Sequence, residues 1–257
     1  MEFVWTDDQG PSVFEPGGVL LSSFPSAGFA TTVAAHYMIQ TLGLPRIGRF
    51  ESPDGIPIAV IQSGVVNPPV RVYGRKDLAV VISEFPPSIS QAKALARTIF
   101  QGAEGRRARL IVCMEGVMPH PLDEGTEVET PEEQVWVAFS RKDADLLNAF
   151  QPTRARLLED GIIGGVSGAL LVHGIDRKPP VAAMLVSARA SEGYPDHRAG
   201  ASLIEAIDSL LPELRIDTGP LRTQAEQIER ALRNAMRSQA RTVDRETEPS
   251  QATTMYG

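Results

Sequence analysis

The sequence predicts one large α/β domain, and three observations lead to that prediction. The chain has 257 residues, of which 42% are hydrophobic and 22% charged, enough to build a core without disulfides or metal ions. Near its start, an apolar strand pattern at 19–24 is followed by a turn containing Gly28 and an apolar helix at 29–42. This succession is typical of the first unit of doubly wound folds. Further along, strand-length apolar runs alternate with segments of helical period.

The remaining elements follow from apolar runs separated by proline and glycine. The run 78–83 is apolar up to its last residue, as expected for a central strand covered on both faces. The run 70–73 alternates and precedes a turn-rich link, which indicates a hairpin with the run that follows. The other predicted strands are 47–51, 58–62, 110–114, 135–139 and 181–187, and the other predicted helices are 90–101, 143–150, one after the glycines near 165, and 198–211.

A long amphipathic helix is predicted from Leu221, with one apolar stripe and a charged opposite side. Residues 241–257 are polar and charged, which favours a solvated tail. That tail ends in Met255, Tyr256 and Gly257. A rigid tyrosine ring with a polar tip, next to a terminal carboxylate, can occupy a pocket on another protein. The alternative is a frayed end without a function.

Composition and charge exclude several classes of protein. The formal net charge of −7 argues against nucleic acid as the main partner. The single cysteine, Cys113, lies in an apolar run, so we expect it to fill the core. One cysteine allows no intrachain disulfide and fits a reducing cytosol, which predicts a cytoplasmic protein. No signal-peptide pattern and no run of eighteen apolar residues is present, so no membrane association is expected.

The residue types that carry enzyme chemistry form no catalytic or metal-binding pattern. The chain has four histidines, and we expect His36 and His173, within apolar helices, to serve packing or capping. His197 follows Asp196 in a turn. His120 stands alone in the acidic, proline-rich segment 118–133, whose carboxylates have no fixed spacing, so a solvated loop is expected rather than a metal site. No cofactor is predicted.

A glycine-rich segment at 161–168 precedes an apolar helix and contains Gly161, Gly164, Gly165 and Gly168. Glycines before a helix N-terminus can form an anion-binding nest. No lysine follows them, so this is not a nucleotide-binding P-loop, and close backbone packing is the favoured interpretation, with Gly168 against neighbouring backbone. The alternative is a small-molecule or nucleotide-binding protein, or an enzyme, that uses this segment.

At this glycine-rich segment the chain resembles the proteasome assembly chaperone family of archaea and eukaryotes. The similarity also covers the opening Phe24 and Pro25 with Gly28, and it continues in family order over roughly 18–240. The opening turn departs from the usual glycine-richer form at Ser26 and Ala27. The other similar segments are 52–60, 68–73, 83–86 and 193–203.

The resemblance implies a single three-layer α/β/α domain with a mixed, mainly parallel sheet, similar to nucleoside phosphorylases and related hydrolases. It also implies self-association as a homo-oligomer and a non-enzymatic role in proteasome assembly. In this family a C-terminal hydrophobic–tyrosine–any-residue motif docks between adjacent α-subunits of the 20S proteasome, and Met255, Tyr256 and Gly257 match it. We therefore divide the chain into an N-terminal extension (1–17), the α/β domain (18–240) and a docking tail (241–257).

Overall fold

The computed structural model of the chain describes residues 2–8, 13–53, 55, 57–118, 134–189, 194–228 and 230–231. The predicted strands and helices are present, with small shifts at their ends. The strands are β1 (Val4–Asp7), β2 (Val19–Ser23), β3 (Arg46–Glu51), β4 (Val60–Gln62), β5 (Val65–Asn67), β6 (Val70–Arg75), β7 (Leu78–Ser83), β8 (Leu110–Val117), β9 (Val135–Phe139), β10 (Arg156–Leu157) and β11 (Val181–Ser187). The helices are α1 (Ala30–Thr41), α2 (Ile89–Gly105), α3 (Ala144–Phe150), α4 (Gly165–His173) and α5 (His197–Leu210), and residues 219–228 are also helical.

Nine strands form one sheet in the order β1-β3-β6-β7-β2-β8-β11-β9-β10. The four central strands, β7, β2, β8 and β11, are parallel to one another. β6 and β9 flank them in the antiparallel direction, and β6 forms the predicted hairpin with β7. The predicted mixed sheet with a parallel centre is confirmed. Its parallel strands all end at the same edge, where Phe24, Glu84 and Val117 follow or end their strands.

Helices cover both faces of this sheet, which confirms the three-layer arrangement. α1 and α5 pack on one face and α2 and α4 on the other. Every residue of β2 and of β7 is buried, because side chains that alternate between the faces meet a helix on either side. Leu21, Val80, Val112 and Met184 face α1 and α5, whereas Leu20, Val81, Cys113 and Leu185 face α2 and α4.

Part of the N-terminal segment, predicted as an extension of residues 1–17, packs against the sheet. Its strand β1 pairs antiparallel with β3 over four residue pairs. Phe3 and Phe14 are 5% and 2% exposed and belong to the core beneath α2 and α4. The Arg106 guanidinium lies 4.2 Å from the centre of the Trp5 ring, an additional contact between α2 and the edge strand. Residues 3–7 and 14 therefore pack against the predicted domain of 18–240.

Several predictions about single residues can be compared with the structure. Cys113 is buried, as expected, and burial raises the pKa of its thiol. His173 lies 5.6 Å from the Phe100 ring, a packing role as predicted. His36 instead binds a carboxylate, Glu84. None of the helices in the described ranges is long and apolar enough to span a bilayer. His120 and the acidic residues after it lie outside the described residues.

Candidate functional site

The predicted docking tail lies outside the described residues, which end at 231. Met255, Tyr256 and Gly257 therefore have no place in the geometry that follows, and their role stays a prediction. The same holds for the predicted long helix beyond residue 231. Within the described ranges, the features with chemical or recognition potential include a cavity at the carboxyl edge of the sheet, a buried ion-pair cluster and an exposed apolar hairpin.

A cavity of about 290 Å³ opens where the parallel strands end, on the side of the sheet that α2 and α4 cover. This edge is where ligands bind in most open α/β sheets, because successive loops diverge there. The glycine-rich segment noted in the sequence contributes one wall. The lining residues that the structure describes are Phe24, Pro25, Pro86, Pro87, Glu115, Val117, Leu185 and 162–166.

The glycines of this wall serve different purposes. Gly165 has a φ of +62°, in the left-handed region that favours glycine. A Cβ at Gly168 would lie 2.1 Å from the Ile163 carbonyl oxygen, so the predicted close backbone approach is confirmed. Gly164 has an ordinary extended backbone with a φ of −101°, and a Cβ there would meet nothing within 4 Å. Neither backbone strain nor crowding explains glycine at 164, which leaves open space beside the cavity.

A polar pair lies at this cavity: Glu115 on β8 lines it, and Ser167 in the first turn of α4 bonds to Glu115 from behind the lining. The Ser167 hydroxyl, 2% exposed, donates a hydrogen bond to Glu115 Oε1. Burial raises the pKa of Glu115 to about 7, and the smaller effect of the Ser167 hydrogen bond opposes that rise. Sequence analysis missed Glu115, although a carboxylate directly after the buried run 110–114 was a usable signal.

This arrangement does not match a phosphate nest or an activated nucleophile. A carboxylate faces the same space that a bound phosphate would need, and like charges repel. Ser167 bonds to a carboxylate, and the lining residues named above include no histidine or lysine to act as its base. In the described part of the chain, no group of three or more His, Cys, Asp or Glu side chains could hold a metal ion.

A second polar cluster joins β6, β7 and α1 around the fully buried Arg71. Its guanidinium contacts both oxygens of Glu84, with Nη1 at 2.8 Å from Oε2, and its Nε donates to the Tyr73 hydroxyl at 3.1 Å. His36 Nε2 lies 3.0 Å from Glu84 Oε1. Burial by itself would raise the pKa of Glu84, but the His36 and Arg71 hydrogen bonds outweigh it and lower that pKa to about 2. Each of these four side chains, Arg71, Glu84, Tyr73 and His36, has a hydrogen-bond partner within the cluster, which indicates a structural role.

The third feature is the apolar hairpin, residues 58–67, in which β4 and β5 pair only with each other. Its turn places Ser63 and Gly64 at φ of 50° and 77°, as tight hairpins require. Ile61, Val65 and Val66 are each 63–64% exposed. Its polar residues instead hold it to the body: Arg46 donates to Asn67 Oδ1 at 2.8 Å, and the Tyr73 hydroxyl donates to Gln62 Oε1 at 3.4 Å.

Comparisons with known proteins show similarity over most of the chain. The model of the PAC2 family matches residues 20–236. An uncharacterized protein of Methanocaldococcus jannaschii is 26% identical over 215 residues, 84% of either chain.

Two solved structures from Pyrococcus furiosus share the fold. PbaA, an archaeal homolog of proteasome-assembly chaperone, superposes with a TM-score of 0.80 at 22% identity, over 96% of this chain and 98% of its own. PbaB, an archaeal proteasome activator, gives a TM-score of 0.74 at 22% identity, over 91% and 99%. At these identities the likeness establishes the α/β architecture.

Proposed function

Since the chain belongs to the PAC2 family, we propose that it is a non-enzymatic cytoplasmic factor that binds the 20S proteasome, as an assembly chaperone or a regulator. The observation that supports this most is the family match over 20–236, together with the fold shared with a chaperone homolog and a proteasome activator. The chain also ends in the tripeptide Met-Tyr-Gly, which fits the family's docking motif. The contact we propose is the insertion of this tail between adjacent α-subunits.

Each residue of the tail has a distinct physical part in this contact. Tyr256 fills the cleft with a ring that loses little entropy, and Met255 adds apolar contact. The Gly257 carboxylate forms a charge-assisted pair with a lysine of the pocket, which is favourable where water is excluded. One such tripeptide binds weakly, so an oligomer that presents several tails gains affinity through effective concentration.

Binding to a purified archaeal 20S core particle tests this proposal. We expect removal of residues 255–257, or Tyr256→Ala, to weaken binding at least a hundredfold, because the anchor of the contact is lost. The matched control is Tyr194→Ala, the same substitution at a tyrosine that is 48% exposed on the body. The measurement is surface plasmon resonance with the core particle immobilised. Equal binding by all four proteins would place the contact on the body, and no binding by any would contradict the proposed partner.

We also propose that the apolar hairpin is the surface through which two copies associate. Two chains of net charge −7 repel each other, and the stretch 58–69 carries no charged side chain. Contact through this stretch avoids placing like charges together. Its exposed Ile61, Val65 and Val66 supply apolar area, and the outer edges of β4 and β5 supply unpaired backbone groups of the kind that pair across an interface.

Val66→Asp should weaken self-association at least tenfold while leaving the fold intact. The side chain is 64% exposed, so the substitution costs the isolated protomer little, whereas in the assembly it brings two carboxylates into an apolar contact. Ile89→Asp serves as control, since Ile89 is 82% exposed and lies at the start of α2. Sedimentation velocity over a concentration series measures the effect. An unchanged assembly in Val66→Asp, or equal loss in both variants, would contradict this surface.

A further inference from the structure

Two partly buried carboxylates, Glu84 and Glu115, differ in their hydrogen-bond and ion-pair partners. Glu84 receives hydrogen bonds from Arg71 and lies against His36. Glu115 has Ser167 as its described hydrogen-bond partner, and no ion pair to it occurs in the described residues. An ionised carboxylate can accept about four hydrogen bonds. The carboxylate of Glu115 therefore retains unused acceptor capacity, in a place where solvation by water is reduced.

That unused capacity faces a cavity rather than a packed core. Glu115 is one of the lining residues, beside the apolar or prolyl side chains of Phe24, Pro25, Val117 and Leu185 and the segment 162–166. At about 290 Å³ the space lies near the lower end of small-molecule sites. Gly164 also lines this space, and a Cβ there would meet nothing within 4 Å.

The signs of the charges select the class of ligand. An anion would meet the carboxylate across apolar walls and be repelled. A neutral apolar molecule would leave the acceptor unpaired, which costs free energy in a buried place. A cation with an apolar body suits both the carboxylate and the apolar side chains of the lining, because its N–H groups bond to the carboxylate and its body covers those side chains.

We propose that this cavity is a binding site for a small organic cation, an ammonium group on a compact apolar body, with Glu115 as its acceptor and counter-ion. The site is separate from the tail and does not depend on the proteasome contact. The ammonium group of the ligand donates hydrogen bonds to the free acceptor positions of the Glu115 carboxylate, and the apolar body of the ligand lies against Phe24, Pro25 and Leu185. Ser167 holds the carboxylate in place through its hydroxyl.

Three probes of the same shape and different charge test the site by isothermal titration calorimetry at pH 8. They are benzylamine, benzyl alcohol and benzoate. We expect benzylamine to bind the full-length protein in the millimolar range or tighter, and the alcohol and the benzoate to bind at least tenfold more weakly. No binding of benzylamine at these concentrations, or equal binding of the three probes, would overturn the proposal.

Two variants and one control assign the binding to this cavity. Glu115→Gln keeps the shape and removes the charge, and Gly164→Leu fills the open space. Each should weaken benzylamine binding at least tenfold. Glu104→Gln removes an exposed carboxylate on α2, 43% exposed and paired with Arg177, and should change nothing. Circular dichroism verifies that each variant is folded. Undiminished binding by Glu115→Gln would overturn the assignment.

The pH dependence is an independent readout. The groups that face Glu115 are Ser167 from α4 and Cys113 on the same strand, and burial keeps the Cys113 thiol neutral. Protonation of Glu115 removes the acceptor charge, so benzylamine affinity should fall about tenfold from pH 8 to pH 6. Binding of Glu115→Gln to the 20S particle should equal that of the unmodified chain, which separates failure of this site from failure of the tail.

Discussion

Replacing Glu84 by alanine is expected to lower the free energy of unfolding by about 3–5 kcal/mol, the usual cost of breaking a buried ion pair on one side. Arg71 is 0% exposed, so the substitution leaves its guanidinium buried without a counter-charge. Glu104→Ala is the matched control, because that carboxylate pairs with Arg177 at the surface, where both side chains are about 42–43% exposed. The control should cost at most about 1 kcal/mol. Urea denaturation at pH 7 measures both values.

A double variant separates charge from packing at this cluster. Adding Arg71→Met to Glu84→Ala removes the stranded charge, so part of the lost stability should return. If the double variant is less stable than the single one, the Arg71 contacts with Tyr73 and the Pro68 carbonyl matter more than its charge. A cost for Glu84→Ala no larger than for Glu104→Ala would contradict the structural role of the cluster.

The lowered pKa of Glu84 also determines how its contribution to the stability of the protein changes with pH. Its value of about 2 in the folded protein lies below the ordinary value of 4.5. The stability it contributes is therefore fully present above pH 4.5 and is lost as the pH falls through about 2. In Glu84→Ala this part of the acid sensitivity should disappear.

Glu115→Gln is expected to stabilise the protein at pH 8 by up to about 3 kcal/mol, since one pKa unit corresponds to about 1.4 kcal/mol. The pKa of Glu115 is raised from 4.5 to about 7. A raised pKa gives stability that is fully present below pH 4.5 and is lost as the pH rises through about 7. At pH 8 the unmodified protein must hold an ionised, poorly solvated carboxylate, whereas the neutral amide avoids that cost.

At pH 4 the two proteins should have nearly equal stability, because Glu115 is then protonated in the folded state and largely protonated in the unfolded state. Chemical denaturation at pH 4 and pH 8 tests both halves of this prediction, and Glu104→Gln serves as the surface control. Destabilisation by Glu115→Gln at both pH values would mean that the carboxylate is needed for the Ser167 hydrogen bond and that its charge costs little.

A group that costs stability near neutral pH is common at sites kept for binding, where function opposes stability. This links the second prediction to the proposed cation site. A bound ammonium would repay the desolvation of Glu115 and lower its pKa, so benzylamine should stabilise the protein most above pH 7, where the carboxylate is ionised.

The sequence by itself predicted most of the elements and the resemblance to the family, although not the short strands β1, β5 and β10. Runs such as 78–83 and 181–187 are apolar up to their last residue because helices cover both faces of the central strands, so burial is visible locally. Helices α2 and α5 each bury one face against the sheet, so their apolar residues recur with the helical period. The family resemblance rests on several short segments, and both the segments and their order can be read directly from the sequence.

Only the tertiary structure decided which side chains meet. Glu115 and Ser167 are 52 residues apart, and Arg71 and Glu84 are 13 apart on neighbouring strands. The contact of Glu115 with Ser167 depends on where α4 packs on the sheet, which non-local packing selects, and the contact of Arg71 with Glu84 depends on the register of the β6–β7 hairpin. The same reason explains β1, whose place at the edge depends on the free side of β3. In the apolar hairpin, Asn67 is buried against Arg46 whereas Ile61, Val65 and Val66 are exposed, and this arrangement depends on the strand that carries Arg46.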